Sequence, residues 1–563
     1  MAADGMKTGG ELLVDNLQLH GVQRAFGVPG ESYLAVLDAL HDAPAIDFVI
    51  CRQEGGAAMM AEADGKLTGE PGICFVTRGP GATNASSGVH VAFQDSTPMI
   101  LFIGQVARET RDREAFQEID YRRMFGQMAK WVAEIDDAAR IPEYLARAFR
   151  TATSGRPGPV VLALPEDMLT NRVPVPSGPA MQPYRRAETA PGGAAMEALA
   201  ERLKTAKRPF LMLGGGTWDA GAVADIRAFA EAQALPVGTS FRCQDLFDNE
   251  HPNYAGDIGI GPNPALAARV RDADLLIVAG ARLGEMTTGG YTLLTPPVPK
   301  QTLVHIHPGA EELGHVYQPA LAIHADMRAF AAAARALPAA SGANSRAEAV
   351  AEAHRDYLDW SSPVTSVGPV QMAEIIAALG ADLPKDAIYT NGAGNYASWL
   401  HRFHRYREFR TELAPTSGSM GYGLPAAVAA KRRYPDRTVV AFAGDGCFMM
   451  TGQEFATAAQ YGVAVIVIVV NNGMYGTIRM HQEREYPARV FGTELRNPDF
   501  AALARAYGGH GERVERTGAF ADAFARARAS GRPALIEIAL DPEALTPKAT
   551  LSEIRAAALS SAS

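Results

Sequence analysis

The sequence predicts an α/β protein built from three doubly wound parallel-sheet domains. Short apolar segments typical of strands alternate with segments of helical spacing along most of the chain, as expected of βαβ units. One segment, 463–470, is apolar at every position, which is typical of a parallel strand buried on both faces. Polar residues follow the predicted strands 438–443 and 463–470 directly, at the sheet edge where ligands bind in such folds.

Composition and charge exclude several classes of protein. The 563 residues are enough for roughly three or four domains, and 47% hydrophobic with 20% charged residues is typical of a globular chain. A formal net charge of −9 without a long basic run argues against a nucleic-acid partner. The run 463–470 is too short to span a bilayer, and residues 1–12 lack the apolar core of a signal peptide. Four cysteines without metal-ligand spacing favour a reducing, cytoplasmic location.

Residues 1–172 are predicted to form the first α/β domain. The segment 77–84, Thr-Arg-Gly-Pro-Gly-Ala-Thr-Asn, is predicted to be a glycine-rich loop that opens a helix. A linker rich in Pro, Gly and Ala is predicted at 173–193. Helices are predicted at 11–20, 32–41 and 57–67, and strands at 24–30, 46–51, 72–76, 98–103 and 159–164.

Two further α/β domains are predicted at 194–336 and 364–545. The central one has a Gly-rich turn after its first strand, which alone is weak evidence for a nucleotide. The tail beyond residue 541 is rich in Ala and Ser and is expected to be mobile or to act as a lid. Strands are predicted at 208–213, 274–280, 303–306, 438–443, 463–470 and 533–538, and helices at 447–460, 499–507 and 519–529.

Asp445 and Asn472 are candidate ligands of a diphosphate-bound metal. The turn Gly444-Asp445-Gly446 is separated from Asn471-Asn472 by 24 residues, which are predicted to contain a helix and a buried strand. The glycines let the backbone approach phosphate oxygens, and the following helix N-terminus favours negative charge. A carboxylate, an amide oxygen and a main-chain carbonyl are hard ligands suited to Mg²⁺, with the diphosphate completing an octahedron. The alternative is a tight turn and an unrelated strand end, which the spacing across a helix and a buried strand disfavours.

This spacing resembles the diphosphate and metal motif of thiamine diphosphate enzymes. Further segments resemble the acetohydroxyacid (acetolactate) synthase branch of that family and cover nearly the whole chain. The resemblance implies a pyrimidine-binding domain at 1–172, a central Rossmann-like domain at 194–336 and a diphosphate-binding domain at 364–545. The matching segments are Gly27-Val28-Pro29-Gly30, Gln53-Glu54-Gly55-Gly56-Ala57-Ala58, Gly79-Pro80-Gly81-Ala82-Thr83-Asn84, Asp95-Ser96-Thr97-Pro98-Met99, Gly104-Gln105-Val106, Ala115-Phe116-Gln117-Glu118 and Gly418-Ser419-Met420-Gly421-Tyr422-Gly423-Leu424-Pro425-Ala426-Ala427.

The resemblance also implies roles for residues around the cofactor. Glu54 matches the glutamate that hydrogen-bonds the pyrimidine ring nitrogen and favours the imino tautomer that takes up the thiazolium proton; otherwise it is a helix-start acid. Met420 matches the large apolar residue that holds the cofactor bent, and is otherwise a core methionine. The Gly418 backbone is the expected partner of the exocyclic amine. Asp445, Asn472 and the carbonyl of Met474 match the metal ligands, and the remaining predicted cofactor-binding residues are Gly444, Gly446, Cys447, Tyr475 and Asn395.

Phe116 and Gln117 match residues that line the substrate pocket, and together with Glu54 and Glu31 they are the candidate catalytic residues. Glu31 stands where synthases have glycine, and decarboxylases of 2-oxo acids carry an acidic or hydroxyl residue there. It is therefore either a proton donor that leads to aldehyde release or an acid at a helix N-terminus. Other departures from synthases are Arg78 in place of a small residue, Met480-His481 in place of Gln-Trp, and Asn395-Tyr396 in place of Gln-His.

The activity implied is decarboxylation of a 2-oxo acid, with pyruvate expected, followed by carboligation to a second carbonyl. This reaction needs thiamine diphosphate and Mg²⁺ and belongs to branched-chain amino acid biosynthesis. One alternative is a 2-oxo acid decarboxylase of the benzoylformate or indolepyruvate type that releases an aldehyde. A non-catalytic homologue is the other, although the retained Glu54, Asp445 and Asn472 argue against it.

The partners implied are further subunits of the enzyme. In this family the cofactor lies between two subunits, which implies a homodimer or homotetramer with active sites at the subunit interface, and a regulatory subunit is a further candidate partner. True synthases hold a non-catalytic FAD in the central domain. Residues 280–285 follow that pattern loosely and 256–262 depart from it, so the sequence leaves FAD open.

Overall fold

The computed structural model describes residues 5–175, 181–339 and 343–561. Within these residues the strands form three parallel six-stranded sheets and one two-stranded ribbon, which confirms the predicted fold class. Each large sheet lies inside one predicted domain, and the limits of those domains stay a prediction. Contacts divide the chain into two compact units, one ending at Glu188 and one beginning at Thr189.

The first unit contains a parallel sheet with helices between most of its strands. Its strand order is β3-β2-β4-β5-β7-β6, and β1 and β8 form a separate antiparallel ribbon that reaches into the predicted linker. Strands β6 and β8 were not predicted, because both are short and incompletely buried. Strands β1 to β8 are Met6–Thr8, Arg24–Gly27, Asp47–Ile50, Gly72–Val76, Met99–Gln105, Trp131–Glu134, Pro159–Pro165 and Arg172–Pro174; helices α1 to α7 are Gly9–Leu19, Leu34–His41, Glu54–Thr68, Gly79–Asp95, Tyr121–Phe125, Ile141–Thr153 and Glu166–Thr170.

Helices α3 and α4 of this unit begin earlier than the sequence predicts. Helix α3 begins at Glu54, because the side chain of Gln53 accepts a hydrogen bond from the Gly56 N–H and caps the helix. Helix α4 begins at Gly79, inside the predicted loop, and Pro80 is tolerated because the first-turn N–H groups have no helical partner. Both first turns therefore lie at the carboxyl ends of strands β3 and β4.

The second unit contains the other two sheets, each with its own strand order. The central sheet has the order β11-β10-β9-β12-β13-β14. Of its strands, β10, β11 and β14 were not predicted, because they are short and carry Gly, Ser, Thr, Asp or His rather than a continuous apolar run. Strands β9 to β14 are Pro209–Leu213, Val237–Ser240, Tyr254–Ile258, Leu275–Ala279, Thr302–His307 and Leu321–His324; helices α8 to α12 are Gly193–Thr205, Ala220–Gln233, Pro264–Asp272, Met327–Arg335 and Ala343–Trp360.

The third sheet has the order β16-β15-β17-β18-β20-β19. When the strands of each sheet are numbered along the chain, the first and third sheets share the order 2-1-3-4-6-5, whereas the central sheet has the dinucleotide-type order 3-2-1-4-5-6. Strands β15 to β20 are Ile388–Asn391, Glu412–Leu413, Val439–Gly444, Ile466–Asn471, His510–Val514 and Ala534–Ala539; helices α13 to α21 are Met372–Asp382, Tyr396–Phe403, Gly423–Arg433, Asp445–Phe448, Glu454–Gln460, Gly476–Glu485, Phe500–Ala506, Phe520–Ala529 and Leu551–Ser561.

The helix predicted at 447–460 is in fact two helices, α16 and α17. Between them the Thr451 hydroxyl donates to the carbonyl of Gly421, at 2.6 Å, so this segment is held by a neighbouring loop. Gly452 lies so close to Phe448 that a Cβ on it would be 2.9 Å from the ring. The sequence shows helical spacing here, but residues 449–453 form turns, and the Thr451 hydrogen bond joins them to a loop that is distant in sequence.

The tail beyond residue 541 ends in helix α21, which packs against α18. That the tail is mobile or acts as a lid stays a prediction. None of the four cysteines, all of which lie in the described residues, forms a disulfide. No helix in the described part of the chain is long and apolar enough to cross a membrane.

Candidate active site

Two neighbouring strand ends bring Asp445 and the Asn471-Asn472 pair to one edge of the third sheet. Strands β17 and β18 pair in parallel with Gly444 opposite Val470, so both polar clusters leave the sheet together. This placement follows the strand pattern that the sequence predicts.

The Asp445 carboxylate is buried and accepts several N–H groups. Its Oδ1 accepts from the Gly446 N–H at 2.9 Å, and its Oδ2 accepts from the Gly473 N–H at 3.0 Å and from Asn497 Nδ2 at 2.7 Å. Burial raises the pKa of the Asp445 carboxyl above its usual range, and these hydrogen bonds oppose the rise. A cation at this carboxylate would offset the cost of its burial.

Sequence reasoning missed Asn497. Its Nδ2 also donates to Asn471 Oδ1, at 2.9 Å, so one amide holds residues from both strand ends. The loop containing it is fixed by two backbone hydrogen bonds, from Tyr475 N to Thr493 O at 2.9 Å and from Leu495 N to Gly473 O at 2.8 Å. No local spacing in the sequence marks Asn497, because its position depends on this bridge between two loops.

Aromatic rings leave little room at the two glycines of the turn. A Cβ on Gly444 would lie 3.0 Å from the Tyr396 ring, and one on Gly446 would lie 2.5 Å from the Tyr475 ring. Cys447 is buried beneath them; its Sγ lies 3.2 Å from the Tyr396 hydroxyl and accepts from the Gly421 N–H at 3.1 Å. Gly444 and Gly446 are thus required by close packing, and Cys447 is a buried packing residue.

The predicted cofactor loop, 418–421, lies beside this turn. Gly418 is exposed with φ of +68°, a left-handed conformation that favours glycine. Met420 is half-buried and packs on the core of the third sheet, which leaves part of its side chain accessible. Arg242 supports the loop from the central sheet by donating to the carbonyls of Pro415 and Gly392, at 2.6 and 3.1 Å.

Asn395 connects helix α14 to helix α18. Its Oδ1 accepts from the Thr477 hydroxyl at 2.9 Å, and its Nδ2 lies 3.6 Å from Met480 Sδ. Met480 is half-buried and His481 is exposed. Asn395 therefore contacts the helix that follows Asn472 and Met474, rather than lying apart from the site.

The oxygen ligands available here suit a hard cation. The described residues contain no group of three or more His, Cys, Asp and Glu side chains that could hold a metal. We call Asp445, Asn472, Met474 and Asn497 the Asp445 site; it offers one carboxylate, amide oxygens and main-chain carbonyls. Such a set suits Mg²⁺, which keeps exchangeable ligands from water or a phosphate.

A second cluster, the Glu54 site, lies in the first unit and consists of Glu54, Gly81 and Asn84. Asn84 Nδ2 donates to Glu54 Oε2 at 2.9 Å. A Cβ on Gly81 would lie 3.4 Å from Glu54 Oε1, so the first turns of α3 and α4 face each other. The Glu54 side chain is partly exposed. It lies at the carboxyl edge of the first sheet.

Phe116 and Gln117 lie in the loop after β5. The Phe116 side chain is 71% exposed, which is unusual for a large apolar side chain and fits a surface awaiting a ligand or another chain. Gln117 has φ of +66°, and its carbonyl accepts from the Gly79 N–H at 3.0 Å. Gln117 therefore contacts the start of helix α4 through its backbone, and its left-handed conformation is not visible in the sequence.

The structure brings Glu31 and Arg78 together. Arg78 Nη2 lies 2.6 Å from Glu31 Oε1, and Arg78 Nη1 donates to the Phe116 carbonyl at 3.4 Å. Glu31 opens a short 3₁₀ turn after β2, as expected of a helix-start acid. Glu31 and Arg78, the two residues of this unit that depart from the synthase pattern, thus form one ion pair.

Three family models match the chain in succession. The thiamine pyrophosphate enzyme N-terminal TPP binding domain matches residues 7–124, the central domain matches 196–334, and the C-terminal TPP binding domain matches 392–538. The Glu54 site falls in the first match and the Asp445 site in the third.

Several curated proteins are similar over most of the chain. An acetolactate synthase large subunit from Parasynechococcus marenigrum is 33% identical over 542 residues, covering 94% of this chain and 87% of that protein. The acetolactate synthase large subunit of Corynebacterium glutamicum is 31% identical, with 96% and 88% coverage. That of Lactococcus lactis is 32% identical, with 89% and 87% coverage.

Proposed function

Because the chain belongs to the thiamine pyrophosphate enzyme family and aligns with acetolactate synthase large subunits, we propose that it is a thiamine diphosphate-dependent enzyme of the acetolactate synthase type. It decarboxylates a 2-oxo acid, with pyruvate as the proposed substrate, and joins the remaining two carbons to a second carbonyl. The observation that carries this proposal is the Asp445 site, where a buried carboxylate and Asn472 occupy adjacent strand ends.

The residues of the Asp445 site fit a magnesium diphosphate. Asp445, Asn472 and the Met474 carbonyl would hold the metal, and the close-packed turn at Gly444 and Gly446 would face the phosphate oxygens. The raised pKa of Asp445 supports this assignment, because a carboxylate buried without a cation is costly. Thiamine diphosphate, when bound, supplies the nucleophilic carbon and the electron sink for decarboxylation.

In this proposal Glu54 exchanges a proton with the pyrimidine ring through its Oε1. Asn84 holds Oε2 of the same carboxylate, which fixes the direction of Oε1. Met420 and Gly418 orient the cofactor, while Phe116 and Gln117 line the substrate pocket. An acid held in this way transfers a proton without reorganising its surroundings.

We propose that FAD is not required. At the carboxyl ends of β12 and β13 a cavity lined by Arg282, His305, Glu312 and Tyr317 measures ≈ 90 Å³. Ligand sites for small molecules measure roughly 300–1,000 Å³, so this cavity does not accommodate a dinucleotide as it stands. Enzyme reconstituted with thiamine diphosphate and Mg²⁺ alone should turn over, and a flavin requirement would contradict this part of the proposal.

The proposed assembly is a homodimer or homotetramer with active sites at the subunit interface, in the cytoplasm. The Glu54 and Asp445 sites lie on separate units of the chain, which fits a site assembled from two copies. The four cysteines, all in the described residues, form no disulfide, which fits a reducing location. The relatives are named large subunits, which favours a smaller regulatory partner, and co-purification from the native source would test for one.

Product analysis with pyruvate, thiamine diphosphate and Mg²⁺ tests the proposed function. Acetolactate with CO₂ is the expected result, and replacing Glu54 by Gln should lower turnover at least about 100-fold while cofactor binding, measured by calorimetry, remains. Acetaldehyde as the main product would indicate the decarboxylase alternative. Full activity of the Glu54→Gln variant would refute the role of Glu54.

A further inference from the structure

A line of polar side chains crosses the third sheet and reaches the Asp445 site. Strands β17, β18, β20 and β19 are neighbours in that order, and one side chain of the line lies on or directly after each of them. Asp445 follows β17, and Asn471 ends β18. Glu537 lies on β20, and Arg513 lies on β19. The line therefore leads from the edge strand β19 to the carboxylate that the proposed function gives to the metal.

Hydrogen bonds join these side chains one to the next. Asn471 Nδ2 donates to Glu537 Oε1 at 2.8 Å. Asn471 Oδ1 accepts from Asn497 Nδ2 at 2.9 Å, and the same Nδ2 donates to Asp445 Oδ2 at 2.7 Å. At the other end of the line, Arg513 Nη1 lies 3.3 Å from Glu537 Oε1. Asn497 is thus the link between the Asn471 amide and the Asp445 carboxylate.

Glu537 is an acid inside a buried strand. Strand β20 reads Ala-Leu-Ile-Glu-Ile-Ala, and the Glu537 side chain is only 1% exposed. Glutamate is almost never fully buried unless it is paired, and Arg513, which pairs with it, is itself 50% exposed. Glu537 Oε2 is buried and has no hydrogen-bond partner among the described residues. An apolar residue would avoid this desolvation cost, so the stability of the sheet does not explain the acid.

The strand register turns Glu537 and Asn471 to the same face of the sheet. Val469 is the ladder partner of Glu537, and paired residues of neighbouring strands point to the same face. Asn471 comes two residues after Val469, so its side chain points to that face as well. Ile536 and Ile538, which flank Glu537, belong to the apolar core on the opposite face. Glu537 is therefore placed to meet the Asn471 amide.

The Asn471 amide satisfies its neighbours in one orientation. Its Oδ1 accepts from the Gly473 N–H at 3.1 Å as well as from Asn497. Turned over, the amide would set its NH₂ group against two N–H donors and its oxygen against the Glu537 carboxyl. Without an acceptor on β20, the NH₂ group loses its partner, and the amide is free to turn toward water and release Asn497.

We propose that Glu537 is a positioning residue that holds the Asp445 carboxylate in place for a divalent metal, acting through Asn471 and Asn497. The proposal rests on the proposed function, in which Asp445 holds the metal of the diphosphate. Glu537 serves as a hydrogen-bond acceptor and is separated from Asp445 by two amide side chains. Removing the acceptor should weaken metal binding and leave the rate at saturating metal nearly unchanged, because Asp445 itself remains.

Binding of Mn²⁺ in the presence of thiamine diphosphate tests the proposal without turnover. Free Mn²⁺ is measured by its electron paramagnetic resonance signal, and Mn²⁺ takes the same oxygen ligands as Mg²⁺. Glu537→Leu removes the acceptor and should weaken Mn²⁺ binding about tenfold, the lower end of the effect of removing a partner of a ligand. Glu537→Gln keeps an oxygen acceptor and should bind Mn²⁺ almost as the wild type does. Equal losses in the two variants would overturn the acceptor role.

Arg513→Ala is the matched control for charge. It removes the ion-pair partner of Glu537 and leaves the acceptor oxygen in place, so Mn²⁺ binding should not change. A loss as large as that of Glu537→Leu would assign the effect to the ion pair and overturn the proposal.

A double variant tests whether Glu537 acts through Asn497. Glu537→Leu combined with Asn497→Ala should bind Mn²⁺ no more weakly than Asn497→Ala alone, because the link to Asp445 is already missing. Losses that multiply in the double variant would show that Glu537 acts without Asn497, which would overturn the proposal.

A second readout needs neither metal nor cofactor. In thermal unfolding of the cofactor-free protein, the change in Tm for this double variant should differ from the sum of the two single changes, because both act on the Asn471 amide. Additive changes would overturn the coupling. Should Glu537→Leu fail to fold, Asn471→Ala breaks the same link and should weaken Mn²⁺ binding about tenfold. Unchanged binding in Asn471→Ala would overturn the proposal.

The two possible failures are distinguishable. If the wild type binds no Mn²⁺ in the presence of thiamine diphosphate, the proposed function fails, and the unfolding measurements still decide whether Glu537 is coupled to Asn497. If the wild type binds Mn²⁺ and Glu537→Leu binds it equally well, the role of Glu537 is refuted and the proposed function stands.

Discussion

Asp445 and Asn497 show how a half-buried amide can fix the orientation of a buried carboxylate. The Asp445 carboxylate is almost fully buried, and the Asn497 amide binds the same oxygen, Oδ2, that accepts the Gly473 N–H. Asn497 also fixes Asn471 on the neighbouring strand. If Asp445 holds the proposed metal, Asn497 would therefore set the direction of the carboxylate's remaining lone pairs.

We expect Asn497→Ala to weaken Mg²⁺ binding roughly 10- to 100-fold, the usual effect of removing a partner of a metal ligand. The maximal rate at saturating Mg²⁺ should change much less. Titration of activity and of bound thiamine diphosphate with Mg²⁺ would measure both quantities. Asn472→Ala, which removes a proposed ligand itself, is the comparison. Equal effects of the two variants would contradict the distinction between Asn472 as a ligand and Asn497 as a residue that orients a ligand.

For single residues, the sequence identified those that the strand ends bring together. Asp445 and Asn472 were found because a buried strand and the helices before it have a recognisable length. Asn497 and the left-handed backbone at Gln117 were not found, because each depends on a contact between loops. The roles of Glu54, Met420 and Phe116 came from resemblance and stay predictions.

Helices α18 and α21 are held together by one buried carboxylate. Glu483 accepts from Arg555 Nη2 at 2.6 Å and from Arg479 Nη2 at 2.7 Å, and its side chain is fully buried. Hydrogen bonding from Arg555 is the largest cause that lowers the pKa of Glu483 to about 2. Since α18 follows Met474 directly, the C-terminal helix supports the segment that would hold the metal.

The ion pair between Glu483 and Arg555 should make the docking of α21 depend on pH. The folded-state pKa of Glu483, about 2, lies below its ordinary value of 4.5, so its contribution is complete above pH 4.5 and is lost as the pH falls toward 2. In Arg555→Ala the main cause of the low pKa is gone, so α21 should be docked less firmly already at pH 7 and should lose less of that docking between pH 4.5 and pH 2. Limited proteolysis of α21 between pH 7 and pH 3 would measure both effects.

The matched control is Arg528→Ala, which removes an exposed pair with Asp382 at 3.7 Å and should leave cleavage of α21 unchanged. Equal protection of α21 in the wild type and Arg555→Ala at every pH would contradict the prediction.

The sequence predicted strands correctly where both faces are buried and the residues are continuously apolar. It missed strands that lack such an apolar run. Strands β17, β18 and β20 were found within a few residues of their observed limits. Strands β6, β11, β14 and β19 were missed, because each lies at the edge of its sheet and carries polar or small residues. The break between α16 and α17 could not be found, because its cause is the carbonyl of a distant loop.

The whole molecule divides the proposed chemistry between two units, with Glu54 in one and Asp445 in the other. If an active site combines Glu54 of one subunit with Asp445 of another, mixing two inactive variants should restore activity. A hybrid dimer of Glu54→Gln and Asp445→Asn chains contains one site with both changes and one site with neither. Random exchange should give about one quarter of the wild-type rate, since half the dimers are hybrids with one working site each.

Activity measured after the variants have been denatured and refolded together would give the result, with each variant refolded alone as the control. No recovery, in spite of hybrid dimers seen by mass spectrometry, would place both residues of a site in one chain. An active site that combines Glu54 of one subunit with Asp445 of another would then be wrong. The proposed roles of the two residues would be unaffected.

The shared strand order of the first and third sheets bears on the evolutionary origin of the chain. In both sheets the third strand along the chain, β4 or β17, is followed by a glycine-containing turn that begins a helix. Arg78 is the N-cap of the helix that follows β4, and Asp445 is the first residue of the helix that follows β17. Duplication of a single ancestral gene segment, followed by divergence in two short turns, would leave this pattern: one strand order that occurs twice in the chain, with different side chains after the third strand of each copy.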